Sequence, residues 1–148
     1  MDFPLRVLIV DDDPIQRAVL EQIFTVHGSA EVEAGADGMD AISILENSLE
    51  PFDLIVLDLV MPEYDGIRLI SYLESQNVKT RLLLLSGLPK NVVRMSNTLA
   101  EASGLTSIGS LQKPLQLEDL LTIVHAQRWP RRKAPKQVAD RSLQPGHA

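Results

Sequence analysis

The stretch VLIVDDDP, residues 7–14, decides the fold. Its four aliphatic residues, Val7–Val10, form the kind of continuous apolar run that a parallel strand buried on both faces requires. The run leads without a spacer into three acidic residues, Asp11, Asp12 and Asp13. The sequence therefore predicts a buried first strand that delivers carboxylates to one edge of a parallel sheet.

A second stretch has the same form. DLIVL, Asp53–Leu57, is another aliphatic run, and it leads directly into Asp58. The carboxyl ends of neighbouring parallel strands open into one crevice, so we expect Asp58 to meet Asp11 and Asp12 there. Clustered carboxylates repel each other unless a cation neutralises them, and the pattern therefore predicts a metal site.

Composition and charge limit the class of protein. The 148 residues include 45% hydrophobic and 4% aromatic residues and no cysteine, which excludes disulfides and thiolate chemistry. The chain has no signal-peptide pattern at its start and no apolar run near the roughly 18 residues of a membrane helix, so we expect a cytoplasmic protein without membrane contact.

The charge is unevenly distributed along the chain. Residues 128–148 carry six basic residues and one acidic residue, and since the whole chain has a net charge of −6, residues 1–127 carry −11. An acidic globule does not attract nucleic acid, so nucleic-acid binding is not expected. We predict one domain over residues 1–127, followed by a basic, disordered tail or linker over residues 128–148.

Strand-like and helix-like segments alternate five times, which predicts a (βα)5 chain. Its fold class is α/β, a flavodoxin-like open parallel sheet of five strands in the order 2-1-3-4-5 with helices on both faces. The predicted strands are Leu5–Val10, Ala30–Ala34, Asp53–Leu57, Arg81–Leu85 and Leu105–Leu111.

The helices that follow these strands are predicted from caps and apolar spacing. Asp13 and Asp37 are expected to cap the first and second helices, and Pro89 to Gly104 spans the fourth. The expected apolar face of the first helix consists of Ile15, Ala18, Val19, Ile23 and Val26. That of the second consists of Ala41, Ile42, Leu45 and Leu49, and that of the fifth of Leu117, Leu120, Leu121 and Val124.

Two further strands end in polar residues. Ser86 follows the fourth strand and Lys113 follows the fifth. Three carboxylates, a hydroxyl and an ammonium suit an oxygen-ligated divalent ion, and Mg²⁺ prefers one or two carboxylates together with phosphate oxygens. Because a carboxylate can also act as a nucleophile that forms an aspartyl-phosphate, the set suits phosphoryl transfer.

Four motifs in order give the chain a family resemblance. They are LIVDDDP (8–14), DLIVLDLVMPEYDG (53–66), LLLLSG (82–87) and LQKPL (111–115). Over residues 5–127 the chain resembles the response-regulator receiver domains of two-component signalling. The stretch that ends in SIGSLQKPL also resembles, less specifically, receivers attached to EAL-type cyclic-di-GMP phosphodiesterases.

The resemblance implies a role for each site residue. Asp58 would be the phosphoacceptor, Asp12 a direct Mg²⁺ ligand, and Asp11 a ligand that acts mainly through water. The backbone carbonyl of Val60 would be a further ligand. Ser86 and Lys113 would contact the phosphoryl group, and the Lys113–Pro114 peptide bond would be cis.

The resemblance also implies partners. A histidine kinase or phosphotransfer protein would supply the phosphoryl group, and a downstream effector would bind the face formed by the fourth and fifth helices. A second copy of the chain is a further candidate partner. The domain would be a switch and not a turnover enzyme. Many receivers carry an aromatic residue three positions before the lysine, whereas this chain has Ser110.

Two alternatives stay open. The chain could be the input module of a larger cyclic-di-GMP phosphodiesterase, with residues 128–148 as the start of a linker. A flavodoxin-like nucleotide or flavin binder is the more remote alternative, since Asp11–Pro14 replaces the Gly-rich phosphate loop that such proteins carry after the first strand.

Overall fold

A computed structural model of the chain describes residues 5–27, 31–59, 65–76, 80–87, 94, 101 and 104–129, with side chains of 65–76 from Arg68 onward. Its five strands are β1 (Arg6–Val10), β2 (Glu31–Gly35), β3 (Leu54–Asp58), β4 (Arg81–Ser86) and β5 (Thr106–Gln112). They form one parallel sheet in the order β2-β1-β3-β4-β5. The predicted fold class and strand order are confirmed.

The sheet is buried from both sides, which explains its aliphatic strands. On β1, Val7 and Ile9 face one apolar cluster, whereas Leu8 and Val10 face the other. All five residues of β1 and all five of β3 are buried. A strand in this position needs apolar side chains at every residue, as the sequence has between Val7 and Val10.

In the described part of the chain, the helices that have assigned bounds are three between the strands and one after them. They are α1 (Pro14–Val26), α2 (Gly38–Asn47), α3 (Asp65–Ser75) and a C-terminal helix, Leu117–His125, which is the fifth predicted helix. The predicted caps are confirmed: the carboxylate of Asp13 accepts a hydrogen bond from the Ile15 N–H, and that of Asp37 accepts one from the Asp40 N–H. The fourth predicted helix lies outside the described residues, apart from Arg94, Glu101 and Gly104.

The predicted apolar face of α1 is wrong in part: Ile23 packs against the buried cluster as predicted, but the other predicted residues do not. The helix buries Leu20 and Phe24, while Ile15, Val19 and Val26 are exposed. The face that packs on the sheet centres on Leu20 and Phe24, two apolar residues that the predicted face left out.

Two other predicted faces need smaller corrections. On the second helix Ala41 is buried as predicted, but Leu49 lies beyond the end of α2 and is fully exposed. The C-terminal helix buries Leu120 and Val124, while Leu117 is exposed at its first residue. In both cases the wrong position lies at or beyond a helix end.

The amino-terminal edge of the sheet holds a buried arginine. The guanidinium of Arg6 donates to the carboxylate of Glu31 at 3.0 Å and to the carbonyls of Glu50 and Pro51, and it lies over the ring of Phe52 at 4.4 Å. Arg6 is only 6% exposed. These contacts join β1, β2 and the segment that leads into β3.

The end of the C-terminal helix is attached to the same edge. The indole N–H of Trp129 donates to the Val124 carbonyl at 3.0 Å, and Arg81 lies over the indole ring and donates to the Arg128 carbonyl. Trp129 therefore packs on the domain, while residues 130–148 lie outside the described part of the chain. Among the helices of the described residues, none is long and apolar enough to cross a membrane.

Candidate functional site

The ends of β1 and β3 bring the two predicted acidic segments together. The strands are paired with Val10 opposite Leu57, so Asp11 and Asp58 follow at the same edge of the sheet. Both carboxylates are removed from solvent: Asp11 is 0% exposed and Asp58 is 2% exposed. Since isolated buried carboxylates are costly, this edge of the sheet must supply positive charge.

Three carboxylates form the cluster that the sequence predicts. Asp11, Asp12 and Asp58 each contribute one oxygen, and these oxygens lie within 4.8 Å of one another. Asp12 is exposed, so the cluster has a side open to solvent. Such an arrangement of hard oxygen donors with an open side fits Mg²⁺, which binds through one or two carboxylates and keeps waters or phosphate oxygens as other ligands.

Lys113 supplies positive charge to this cluster. Its ammonium Nζ donates to Asp58 Oδ2 at 2.8 Å and lies 3.8 Å from Asp11 Oδ2. Partial burial alone would lower the pKa of Lys113, but the hydrogen bond to Asp58 and the charges of Asp58, Asp11 and Asp12 raise it. The lysine is therefore a fixed cation that contacts two strand ends at once.

Asp11 has unused coordination capacity. Its Oδ1 accepts a hydrogen bond from the Asp13 N–H at 2.9 Å, whereas its buried Oδ2 has no hydrogen-bond partner among the described residues. Burial, followed by repulsion from Asp58, raises the pKa of Asp11, although the Asp13 N–H and Lys113 act in the opposite direction. An unsatisfied buried oxygen beside a second carboxylate is the position where a bound cation would be stabilised.

The other predicted site residues lie as follows. Ser86 is the buried last residue of β4, and its carbonyl accepts a hydrogen bond from the Lys113 N–H at 3.0 Å, which joins the ends of β4 and β5. Val60 lies outside the described residues, so its carbonyl stays a predicted ligand. The Lys113–Pro114 peptide bond is cis, as the resemblance implied.

Ser110 lies in β5, opposite Leu84 of β4, and is half-buried. The neighbouring Gly109 has a φ of +141°, and a Cβ built there would lie 2.5 Å from the Ile123 side chain of the C-terminal helix. This strand therefore packs closely on the helix at Gly109. Ser110 stands at the position where the resemblance implies an aromatic residue in many receivers.

One residue at the site was missed by the sequence reasoning. Arg17 of α1 donates from Nη1 to the Asp11 carbonyl at 2.7 Å. Its position gave a signal, because it lies three residues before Leu20 and seven before Phe24, which are the two buried residues of α1. An arginine in line with a buried face packs its aliphatic stem on that face and presents its guanidinium at the edge, where a polar partner can bind it.

Comparison with known proteins identifies the family to which the chain is similar. A family model described as the response regulator receiver domain matches residues 7–125. Response regulator MprA from Mycobacterium sp. (strain KMS) is 31% identical over 137 residues, which cover 93% of this chain and 55% of MprA. Cyclic di-GMP phosphodiesterase RocR from Pseudomonas aeruginosa is 29% identical over 135 residues, which cover 90% of this chain and 34% of RocR. The chain thus spans about half of MprA and about a third of RocR.

Solved structures of response regulators are similar to the chain in both fold and sequence. A response regulator from Colwellia psychrerythraea aligns with a TM-score of 0.71 and 34% identity, over 82% of this chain and 94% of that chain. A chain of the CheX–CheY–BeF3–Mg²⁺ complex from Borrelia burgdorferi aligns with a TM-score of 0.70 and 30% identity, over 84% of this chain and 89% of that chain.

Proposed function

The chain belongs to the response regulator receiver domain family, and from this premise we propose that Asp58 accepts a phosphoryl group from a histidine kinase or phosphotransfer protein. The observation that carries the proposal is the buried Asp58 carboxylate, which is bonded to Lys113 and adjacent to Asp11, whose Oδ2 has no hydrogen-bond partner among the described residues. This combination leaves a nucleophile beside one fixed cation and a place for a second.

The chemistry follows from the charges. A carboxylate oxygen of Asp58 attacks phosphorus, the bond to the donor breaks, and the donor leaves with the bonding electron pair. Negative charge accumulates on the phosphoryl oxygens in this step, and Lys113 is placed to neutralise part of it. Ser86, at the end of β4, is the proposed donor of a hydrogen bond to a phosphoryl oxygen.

Mg²⁺ is the proposed cofactor. Asp11, Asp12 and Asp58 would hold it, with the Val60 carbonyl as a further ligand. When bound, Mg²⁺ supplies the additional positive charge that phosphoryl transfer requires. The solved Borrelia burgdorferi complex that resembles this chain contains Mg²⁺ and BeF3, which is consistent with the proposal.

The test is phosphorylation by a small phosphodonor such as acetyl phosphate, followed by intact-mass measurement. With Mg²⁺ present, the wild type is expected to gain the mass of one phosphoryl group, and excess EDTA is expected to prevent the gain. Asp58→Asn should not be modified. The matched control is Asp119→Asn, which removes an exposed acid of the C-terminal helix and should be modified like the wild type. A modification that survives Asp58→Asn contradicts the assignment.

The output of the domain is proposed in two forms. In the first, phosphorylation changes the surface formed by the fourth and fifth helices and alters binding of a separate effector, so the domain is a switch and not a turnover enzyme. In the second, the receiver controls a cyclic-di-GMP phosphodiesterase on the same polypeptide, which the resemblance to RocR favours. Reading the gene beyond the codon for Ala148 distinguishes the two, because only the second requires an open frame that encodes a phosphodiesterase domain.

A further inference from the structure

We infer that Arg17 is a positioning residue for the Mg²⁺ site: it holds Asp11 in place through the Asp11 backbone carbonyl, without being a ligand itself. The inference rests on the proposed function, since it concerns how the carboxylates of that site are oriented. It adds a residue from α1 to a site otherwise built at the ends of strands.

Arg17 is placed for this role by the helix. It is half-buried and lies on the same side of α1 as Leu20 and Phe24, which pack on the sheet. Its guanidinium donates to the Asp11 carbonyl at 2.7 Å, a short distance typical of a charge-assisted hydrogen bond. Fixing a long side chain in this way costs rotamer entropy, and the hydrogen bond to the Asp11 carbonyl must offset that cost.

Three hydrogen bonds, one of them from Arg17, limit how Asp11 can move. The Asp11 N–H donates to the Gly35 carbonyl at 3.1 Å, its carbonyl accepts from Arg17, and its Oδ1 accepts from the Asp13 N–H at 2.9 Å. The Arg17 backbone N–H in turn donates to the Asp13 carbonyl at 2.9 Å. The backbone bond is the first i to i−4 bond of α1, and the Arg17 side chain adds a second contact that fixes the turn between β1 and α1. The direction of Asp11 Oδ2 depends on that turn.

The positive charge of Arg17 and its positioning role would change the affinity for Mg²⁺ in opposite directions. A guanidinium near three carboxylates reduces their attraction for Mg²⁺, so a purely electrostatic role predicts that removing it tightens binding. A positioning role predicts that removing it weakens binding, because groups that orient metal ligands typically contribute 10–100-fold to affinity. The sign of the change therefore separates the two roles.

The experiment is titration of the metal-free protein with Mg²⁺ by isothermal calorimetry. Arg17→Met is expected to raise the Kd for Mg²⁺ by about tenfold. Arg17→Lys, which keeps the charge and one donor, is expected to recover part of that loss. The matched control is Arg68→Met, which removes an exposed arginine from α3 and should change the Kd by less than about twofold, because exposed charges are screened. Thermal unfolding of each variant without Mg²⁺ measures separately how much Arg17 contributes to the stability of the metal-free protein.

The outcomes are distinct. An Arg17→Met protein that folds and binds Mg²⁺ as tightly as the wild type, or more tightly, overturns the inference, even if its melting temperature has fallen. Should Arg17→Met fail to fold, Arg17→Lys is compared with the wild type instead, and Mg²⁺ binding by Arg17→Lys that is as tight as in the wild type, or tighter, overturns the inference. A wild type that binds no Mg²⁺ refutes the proposed cofactor and the inference together, whereas normal wild-type binding with an unchanged variant refutes the inference alone.

Discussion

A charged residue is buried at each end of β1, but the two charges differ in how completely neighbouring groups stabilise them. At the amino-terminal end the guanidinium of Arg6 binds a carboxylate and two backbone carbonyls and lies on an aromatic ring. At the carboxyl end Asp11 is buried beside Asp58, and one of its oxygens has no hydrogen-bond partner among the described residues. The first charge is stabilised by the fold, whereas the second requires a ligand for full stabilisation. This difference separates a structural charge from a functional one.

Arg6→Met is expected to have the largest effect on stability. The variant loses hydrogen bonds to Glu31 and to two carbonyls of the segment before β3, and we expect the free energy of unfolding to fall by about 3 kcal/mol. Urea denaturation measures this. The affinity for Mg²⁺ should stay within about twofold of the wild type, because the two ends of the strand are independent sites. A large loss of Mg²⁺ affinity at full folding would show that the two ends are coupled.

Lys113→Met is expected to have an intermediate effect that depends on metal. Without Mg²⁺ the variant leaves the buried carboxylates of Asp11 and Asp58 without this ammonium, and we expect a loss of about 2 kcal/mol. Mg²⁺ can replace part of the missing charge, so the rise in melting temperature on adding Mg²⁺ should be larger in the variant than in the wild type. An equal or smaller rise would mean that Lys113 does not neutralise the same charges as the metal.

Asp11→Asn is expected to have the smallest effect and the opposite sign. The substitution removes a buried carboxyl whose pKa is raised by burial and by Asp58, so the metal-free protein should be stabilised at neutral pH and should melt at a higher temperature. Differential scanning calorimetry with EDTA measures this gain. The same variant should lose most of its stabilisation by Mg²⁺. Destabilisation without metal would contradict the view that Asp11 is kept for function at a cost in stability.

The sheet was predictable from the sequence because its strands are buried on both faces. Val7–Val10 and Leu54–Leu57 are aliphatic at every position, and a strand boundary shifts by no more than one residue between prediction and structure. Their acidic ends had to converge once the strands were parallel. The assembly of Asp11, Asp12 and Asp58 therefore followed from local patterns alone.

The parts that were not predictable depend on tertiary contacts. The apolar face of α1 was misassigned because Ile15 and Val19 are as apolar as the buried Leu20, and only packing on the sheet distinguishes them. Arg17 lies at helical spacing from Leu20 and Phe24, but the sequence does not identify its partner, because that partner is a backbone carbonyl. The sequence also did not show that Asp11 is buried whereas the adjacent Asp12 is exposed.

The most direct test of the central claim is to locate the phosphoryl group by chemical reduction. The protein is treated with Mg²⁺ and acetyl phosphate, then with borohydride, which converts an aspartyl-phosphate into homoserine, and the peptides are sequenced by mass spectrometry. We expect homoserine at position 58 and its absence when EDTA replaces Mg²⁺. Unreduced aspartate at position 58 in a protein that carries a phosphoryl group elsewhere would contradict the account.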